Sequence, residues 1–283
     1  MSARRPAGRT QRGIALLVVL WACTLLAILL GGYAALARTE GLQARYQFAQ
    51  TRAHYAAEAG LAQAVYALQD PQPQRRWVPD GRSYELRFDD ARVSVSAVDE
   101  GGKLDLNAAT PESLQAFFRA AGMPAADAQR LAAAVAAWRS PPQPGLDASG
   151  LAGSAPARHA PFASIEELQQ VPGMTPALYR RIAGDITIWS GRAAPDPGSA
   201  SALALAAVPG MTPQQIAQIL ARRQRPDRAA SLAVATGVTH SIRAEATLAD
   251  GTRAVLRATV RLQGGRSGAQ PYAVLHWQEG DGG

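Results

Sequence analysis

The run from Ile14 to Ala37 limits what the rest of the chain can be. It holds 24 residues and no charge. At about 1.5 Å per residue a helix of that length spans roughly 36 Å, enough to cross a bilayer core. Arg4, Arg5, Arg9 and Arg12 precede it, and the next charges are Arg38 and Glu40. That asymmetry keeps the N-terminus in the cytoplasm and sends the remainder across the membrane. Ile14, Leu17, Val18, Leu20, Trp21, Leu25 and Leu29 are assigned to this membrane helix. A secretory signal peptide has a shorter apolar core, about 7–15 residues, closed by a small-x-small cleavage site. Here the run is longer, and Ala35-Leu36-Ala37 is a poor match to such a site.

Gly13 stands between the basic leader and the first apolar residue. Arg12-Gly13-Ile14-Ala15-Leu16-Leu17 resembles the prepilin cleavage site of the type IV pilin and pseudopilin class. The resemblance implies a membrane peptidase that cuts after Gly13, methylates the new amine of Ile14 and leaves the helix in place. An ordinary signal anchor is the alternative. One position departs from the class: pilins usually carry Glu at the fifth mature position, which here is Val18. A carboxylate inside a bilayer costs a few kcal/mol and is kept where it has a partner. In a filament that partner is a neighbouring subunit's amine, so Val18 suits a subunit with nothing above it. An anchor that never enters a filament suits Val18 as well.

At 283 residues the chain has room for one or two domains with a real core. The formal charge is +7, but the four leader arginines supply +4 of it, so the basic balance says little about nucleic acid. Cys23, the single cysteine, lies within the apolar run. That excludes an intrachain disulfide and a cysteine metal site outside the membrane.

Residues 38–69 continue the first helix. Leu42, Tyr46, Ala49, Ala53, Ala56, Gly60, Ala64 and Leu68 recur at three- and four-residue steps, and Asp70-Pro71 stops the pattern. A coiled-coil stalk has the same signature. The period then changes to two. Ser83 to Phe88 and Arg92 to Val98 alternate polar and apolar around Asp89-Asp90, a hairpin signal, and Gly101-Gly102 ends it.

Residues 104–235 read as helices separated by turns. Thr110-Pro111 caps one helix and Pro124 to Trp138 forms a second; Ser164-Ile165-Glu166-Glu167 reads as a capping box. Leu168-Gln-Gln-Val-Pro-Gly-Met-Thr-Pro176 recurs as Leu205-Ala-Ala-Val-Pro-Gly-Met-Thr-Pro213, an offset of 37 residues. Each copy predicts a short helix, a tight turn at Pro172-Gly173-Met174 or Pro209-Gly210-Met211, and a second helix with its own cap. The unit resembles the helix-hairpin-helix, and two copies packed together imply a SAM-like subdomain.

Helix-hairpin-helix units also bind DNA, through backbone amides after a Pro-Gly-hydrophobic-Gly turn. Here Thr175 and Thr212 replace the second glycine, and Pro176 and Pro213 have no amide to donate. Arg180, Arg181, Arg222 and Arg223 offer a basic patch, but this spacing is commonly a solvated face. Leu104-Asp105-Leu106-Asn107-Ala108-Ala109-Thr110 resembles the opening of DNA-uptake competence proteins. A membrane-anchored DNA-binding or DNA-uptake protein is therefore the rival reading, with nucleic acid not expected as a partner.

After residue 235 the strand period returns. Ile242 to Leu248 and Leu256 to Leu262 alternate about an Asp250-Gly251 turn, and Tyr272 to Trp277 offers a last strand. The predicted fold class is α+β and pilin-like: a long N-terminal helix on an antiparallel sheet, with an all-α block inserted between strands. The boundaries are 1–13 for the leader, 14–69 for the transmembrane and stalk helix, and 70–103 and 236–283 for the two parts of the sheet. The inserted block takes 104–235.

This order of features resembles the minor pseudopilin K family of the type II secretion system. The matching residues are Arg12-Gly13-Ile14, the helix to about Leu68, Leu104 to Thr110, Pro161-Phe162-Ala163-Ser164-Ile165-Glu166-Glu167-Leu168, both Val-Pro-Gly-Met-Thr-Pro turns and the closing strands. The resemblance implies a single-pass inner-membrane protein with its C-terminal part in the periplasm, processed by prepilin peptidase. It implies a tip complex with minor pseudopilins I and J on the major pseudopilin filament, in a machine that exports folded proteins across the outer membrane. Family members often bind calcium in an Asp-rich loop. Calcium wants six to eight oxygens, and Asp147 is the single carboxylate between Trp138 and Pro161. No calcium, other metal or cofactor is expected.

An enzymatic reading finds no catalytic residues. His54, His159, His240 and His276 lack metal-ligand spacing, and no Gly-x-Ser-x-Gly elbow or phosphate loop is present. Trp77, Trp138, Trp189 and Trp277 are expected as core or interface anchors.

Overall fold

The computed structural model describes residues 12–141, 159–223, 238–263 and 272–280. The chain divides into two units, residues 1–52 and 53–283. Helix α1, Arg12–Leu68, begins in the first and ends in the second as one 57-residue element. Ala is the strongest helix former and no Pro interrupts the run, so nothing local ends α1 before Asp70-Pro71.

The second unit opens on the last turns of α1. Ala53, Ala57, Leu61, Ala64 and Leu68 are buried at helical spacing. They meet a five-stranded antiparallel sheet whose order is β1-β2-β5-β6-β7. Its strands are β1 (Asp80–Phe88), β2 (Ala91–Asp99), β5 (Thr239–Thr247), β6 (Arg253–Leu262) and β7 (Tyr272–Glu279). The register pairs Val93 with Ala246, Val95 with Ala244 and Ala97 with Ile242, which puts one apolar row on one face. Gly60 sets how closely α1 approaches. A Cβ there would lie 2.6 Å from Val93 Cγ1 and 3.0 Å from Val95 Cγ2. Ser94, Ser96, Arg243 and Glu245 occupy the opposite face.

Turn chemistry closes both hairpins. Asp89 takes φ +56 between β1 and β2, which Asp tolerates better than most residues. Gly251 takes φ +86 between β5 and β6, and Asp250 Oδ1 accepts from the Thr252 amide at 2.9 Å. β1 starts at Asp80, earlier than the Ser83 expected from alternation. Trp77 lies just before it and stacks on Tyr84 at 4.0 Å.

The helical block leaves β2 through a tight crossing at Glu100–Gly102. Asp99 Oδ1 accepts from the Gly101 amide at 2.8 Å and Asp99 Oδ2 accepts from the Ser199 hydroxyl at 3.0 Å. A Cβ on Gly102 would lie 2.6 Å from the Ser199 carbonyl carbon, so only Gly fits there. Beyond it lie β3 (Leu104–Asp105), α2 (Pro111–Ala120), α3 (Ala125–Arg139), α4 (Pro176–Ile182), β4 (Ile186–Thr187), α5 (Ala202–Leu205) and α6 (Pro213–Arg223). Phe117, Phe118, Leu114, Leu131, Leu168 and Ile182 centre its main core.

Several expectations change. Ile165–Gln170 is a 3-10 helix, and Ser164 makes no side-chain cap bond, so the capping-box reading fails there. A true capping box sits instead at α6, where the Thr212 amide donates to Gln215 Oε1 at 2.8 Å and the Gln215 amide to Thr212 Oγ1 at 3.3 Å. Leu42 and Tyr46 stay exposed, so the buried stripe of α1 starts at Ala53. Trp277 is 38% exposed and Trp189 half-buried, whereas Trp138 is buried as expected. The parallel pair of β3 and β4 has no counterpart in the sequence reading.

Candidate functional site

Three features carry functional meaning: the apolar segment of α1, the paired hairpin turns and the buried anchor that holds the block together. In the first unit every assigned apolar side chain from residue 17 onward is open. Leu17 and Val18 are 59% exposed, Leu20 and Trp21 63%, Leu25 53% and Leu29 70%. Arg12, Gly13 and Ile14 form the first turn of the same helix. A stretch apolar on all sides and left open by the described residues needs a medium other than water. By length and composition it is fit to cross a membrane. Two threonine hydroxyls bond within the helix: Thr24 Oγ1 donates to the Trp21 carbonyl at 2.8 Å and Thr39 Oγ1 to that of Ala35 at 3.1 Å.

The two repeat turns share one backbone geometry. Gly173 takes φ +92 and Gly210 φ +79. The Met174 amide donates to the Val171 carbonyl and the Met211 amide to that of Val208, each at 3.1 Å. Pro172 and Pro209 enter the turns, and Thr175 caps α4 through the Leu178 amide. The copies differ in burial. Val171 is buried and Met174 packs on the main core, whereas Met211 joins a separate small cluster of Ala200, Ala204 and Leu205. The second copy joins the main core through Ala207 and Leu203, while α6 buries no residue fully and packs on the smaller cluster.

Two of the four arginines near the turns are engaged on backbone carbonyls. Arg181 Nη1 donates to the Ala121 carbonyl at 2.6 Å. Arg223 Nη1 donates to Ala200 at 2.6 Å, and Nη2 bonds the Pro197 carbonyl. Burial pushes the Arg223 guanidinium below its ordinary pKa, and the Asp196 charge pulls it partly back. These cations hold loops together, a different use from gripping a phosphate.

Asp105 is an anchor that sequence reasoning missed. It is 1% exposed. Oδ1 accepts from the amides of Asn107 at 2.8 Å and Ala108 at 3.2 Å; Oδ2 accepts from the Gly191 amide at 2.7 Å and the Ser190 hydroxyl at 3.1 Å. Asn107 adds a reciprocal pair with Phe162: its Nδ2 donates to the carbonyl at 3.0 Å and its Oδ1 accepts from the amide at 2.8 Å. Arg139 Nη1 donates to the Leu106 carbonyl at 2.5 Å, and Nη2 bonds that of Ala109. Burial lowers the Arg139 pKa and the Asp105 charge opposes that shift. The Leu-Asp-Leu-Asn-Ala-Ala segment is thus an internal fastening. An Asx pattern at Asp105 to Asn107 was the available signal.

Asp147 lies outside the described residues, as does most of the loop after Trp138. Among the described residues no group of three or more His, Cys, Asp or Glu is placed to hold a metal.

Residues 91–191 match the family described as type II secretion system (T2SS), protein K. The matched span runs from the first residue of β2 to just past β4, so it holds the Asp105 fastening and the first hairpin turn. The fold is similar to a chain of the crystal structure of the GspK–GspI–GspJ complex from the enterotoxigenic Escherichia coli type 2 secretion system. Identity is 18%, the match covers 85% of this chain and 100% of that chain, and the TM-score is 0.61. At that identity the likeness is one of fold, and it establishes the α+β, pilin-like architecture. No curated protein matches.

Proposed function

For a chain whose residues 91–191 match the type II secretion system protein K family, we propose the role of a minor pseudopilin that caps the tip of a periplasmic pseudopilus and starts its assembly. The observation that carries this reading is the match of residues 91–191 to protein K in a chain whose first helix opens on an exposed apolar stretch. The helix is the anchor, in the inner membrane, with the N-terminus cytoplasmic and the remainder periplasmic. Prepilin peptidase cuts after Gly13 and methylates Ile14. The partners are minor pseudopilins I and J and the major pseudopilin filament. The role is structural, without catalytic residues, metal or cofactor, and without nucleic acid.

Two physical arguments favour the tip. Val18 supplies no carboxylate to a neighbour's amine, so no subunit above is served by it. The inserted block would crowd neighbours in a close-packed filament, and a terminal position leaves it room.

The test is co-purification. The full-length chain, tagged and extracted from membranes with mild detergent, is expected to bring down minor pseudopilins I and J in fixed ratio. Recovery of the chain without either would contradict the tip-complex reading.

A further inference from the structure

The sheet face opposite α1 is basic. The register puts Arg87 and Arg92 opposite each other on β1 and β2, and Arg243 opposite Arg257 on β5 and β6. Arg253 and Arg261 lie on the same face of β6, which makes six arginines. Their acidic neighbours on that face are Asp80, Glu85 and Glu245. Asp80 is held by Arg82 at 2.5 Å, and Glu245 serves two cations: Arg243 at 2.8 Å, and Arg253. Like charges directly opposite one another in a sheet destabilise it.

At one end the helical block overhangs this face and forms a cleft of about 440 Å³. That volume falls within the usual range of ligand sites, roughly 300–1,000 Å³. Arg243, Arg257 and His276 line its floor with the hydroxyls of Ser241 and Thr259, which bond each other at 3.1 Å. Ile165, Ile188 and Trp189 supply an apolar wall. Two acids face the cleft as well: Glu100, ion-paired with Lys103 at 2.6 Å, and Glu166.

We infer that this cleft and the arginine face beyond it bind an extended, acidic segment of another polypeptide. Acidic side chains meet Arg243 and Arg257, and the intervening apolar ones meet Ile165, Ile188 and Trp189. An extended peptide alternates its side chains with period two, which matches a floor of cations against an apolar wall. A nucleic acid strand carries a phosphate at every step and would bring charge against the apolar wall and Glu166. The arginine fork pairs with carboxylates in a bidentate manner, which gives direction as well as charge. The inference does not depend on entry of the chain into a pseudopilus.

The experiment uses the full chain in detergent and two fluorescent probes: a short peptide of alternating Glu and Leu, and an oligothymidylate of equal charge. Anisotropy is read at about 50 mM and about 300 mM NaCl, because exposed charges are screened over that range. The expected result is saturable peptide binding that weakens with salt and falls at least roughly tenfold in Arg243→Gln/Arg257→Gln. Arg130→Gln, on α3 and off this face, is expected to bind as the unaltered protein does. Should the double variant fail to fold by circular dichroism, Arg92→Gln/Arg253→Gln at exposed positions replaces it, with a smaller loss expected. No saturable peptide binding, an equal loss in Arg130→Gln, or tighter binding of the oligothymidylate would each overturn the inference.

Discussion

At the scale of single residues, the block depends on a few buried polar groups whose partners lie far away in sequence. Asp105 receives four donors, two from its own turn and two from residues 190 and 191. Asp105→Asn replaces one acceptor oxygen with a donor that faces other donors. The expected loss is about 2–4 kcal/mol in urea unfolding of the full chain. Asn107→Ala breaks only the Phe162 pair and should cost less, about 1–3 kcal/mol. A loss within experimental error for both would contradict the anchoring role. Asp80 gives a pH dependence. Burial raises its pKa, but the Arg82 hydrogen bonds and charge outweigh that and hold it below the ordinary 3.8. The folded state then binds fewer protons than the unfolded state near that value. The contribution of the pair is therefore complete above about pH 4 and is lost as pH falls through the folded pKa. A carboxyl titration by NMR should find Asp80 below 3.8, and Arg82→Gln should bring it back up.

At the scale of elements, glycines in α1 separate a packed stretch from an open one. Gly60 sits against Val93 and Val95, while Gly41 has nothing within 4 Å of an added Cβ. Gly41→Ala should therefore stabilise slightly, by about 0.5–1 kcal/mol. Gly60→Ala has the same intrinsic gain, but the contact with β2 reverses it, and a net loss of about 1–3 kcal/mol is expected in thermal unfolding. Equal effects at both positions would contradict the packing of α1 on the sheet. Much of this level is legible in sequence. Alternation and an Asp-Gly turn give β5 and β6, and Thr-Pro pairs give the starts of α2, α4 and α6, because these signals are local. The 3-10 helix at Ile165–Gln170 is not legible, since its Ser-x-x-Glu spacing is also that of an α-helical cap. The two-residue pair of Leu104–Asp105 with Ile186–Thr187 is too short for any period. Trp277, expected in a core or an interface, lies on an edge strand and stays exposed, which leaves the interface place alone open to it.

At the scale of the whole molecule, chain order carries most of the information. An apolar run after a Gly at the end of a basic leader, a split sheet and an inserted helical block occur in that sequence, and the fold follows it. What sequence could not supply is how the two hairpin copies share out the core, because they are identical from Val to Pro. Their difference comes from the neighbours that each one meets. The same holds for the arginine face, which exists only once the register has aligned residues more than a hundred positions apart. We propose that α1 is the processed, membrane-held helix of a pseudopilin. The N-terminal mass of the protein from membranes, with and without an active prepilin peptidase, tests it most directly. The expected result is a mature chain that starts at methylated Ile14 and is found only with the peptidase. An uncut N-terminus, or a cut near Ala37, would contradict it.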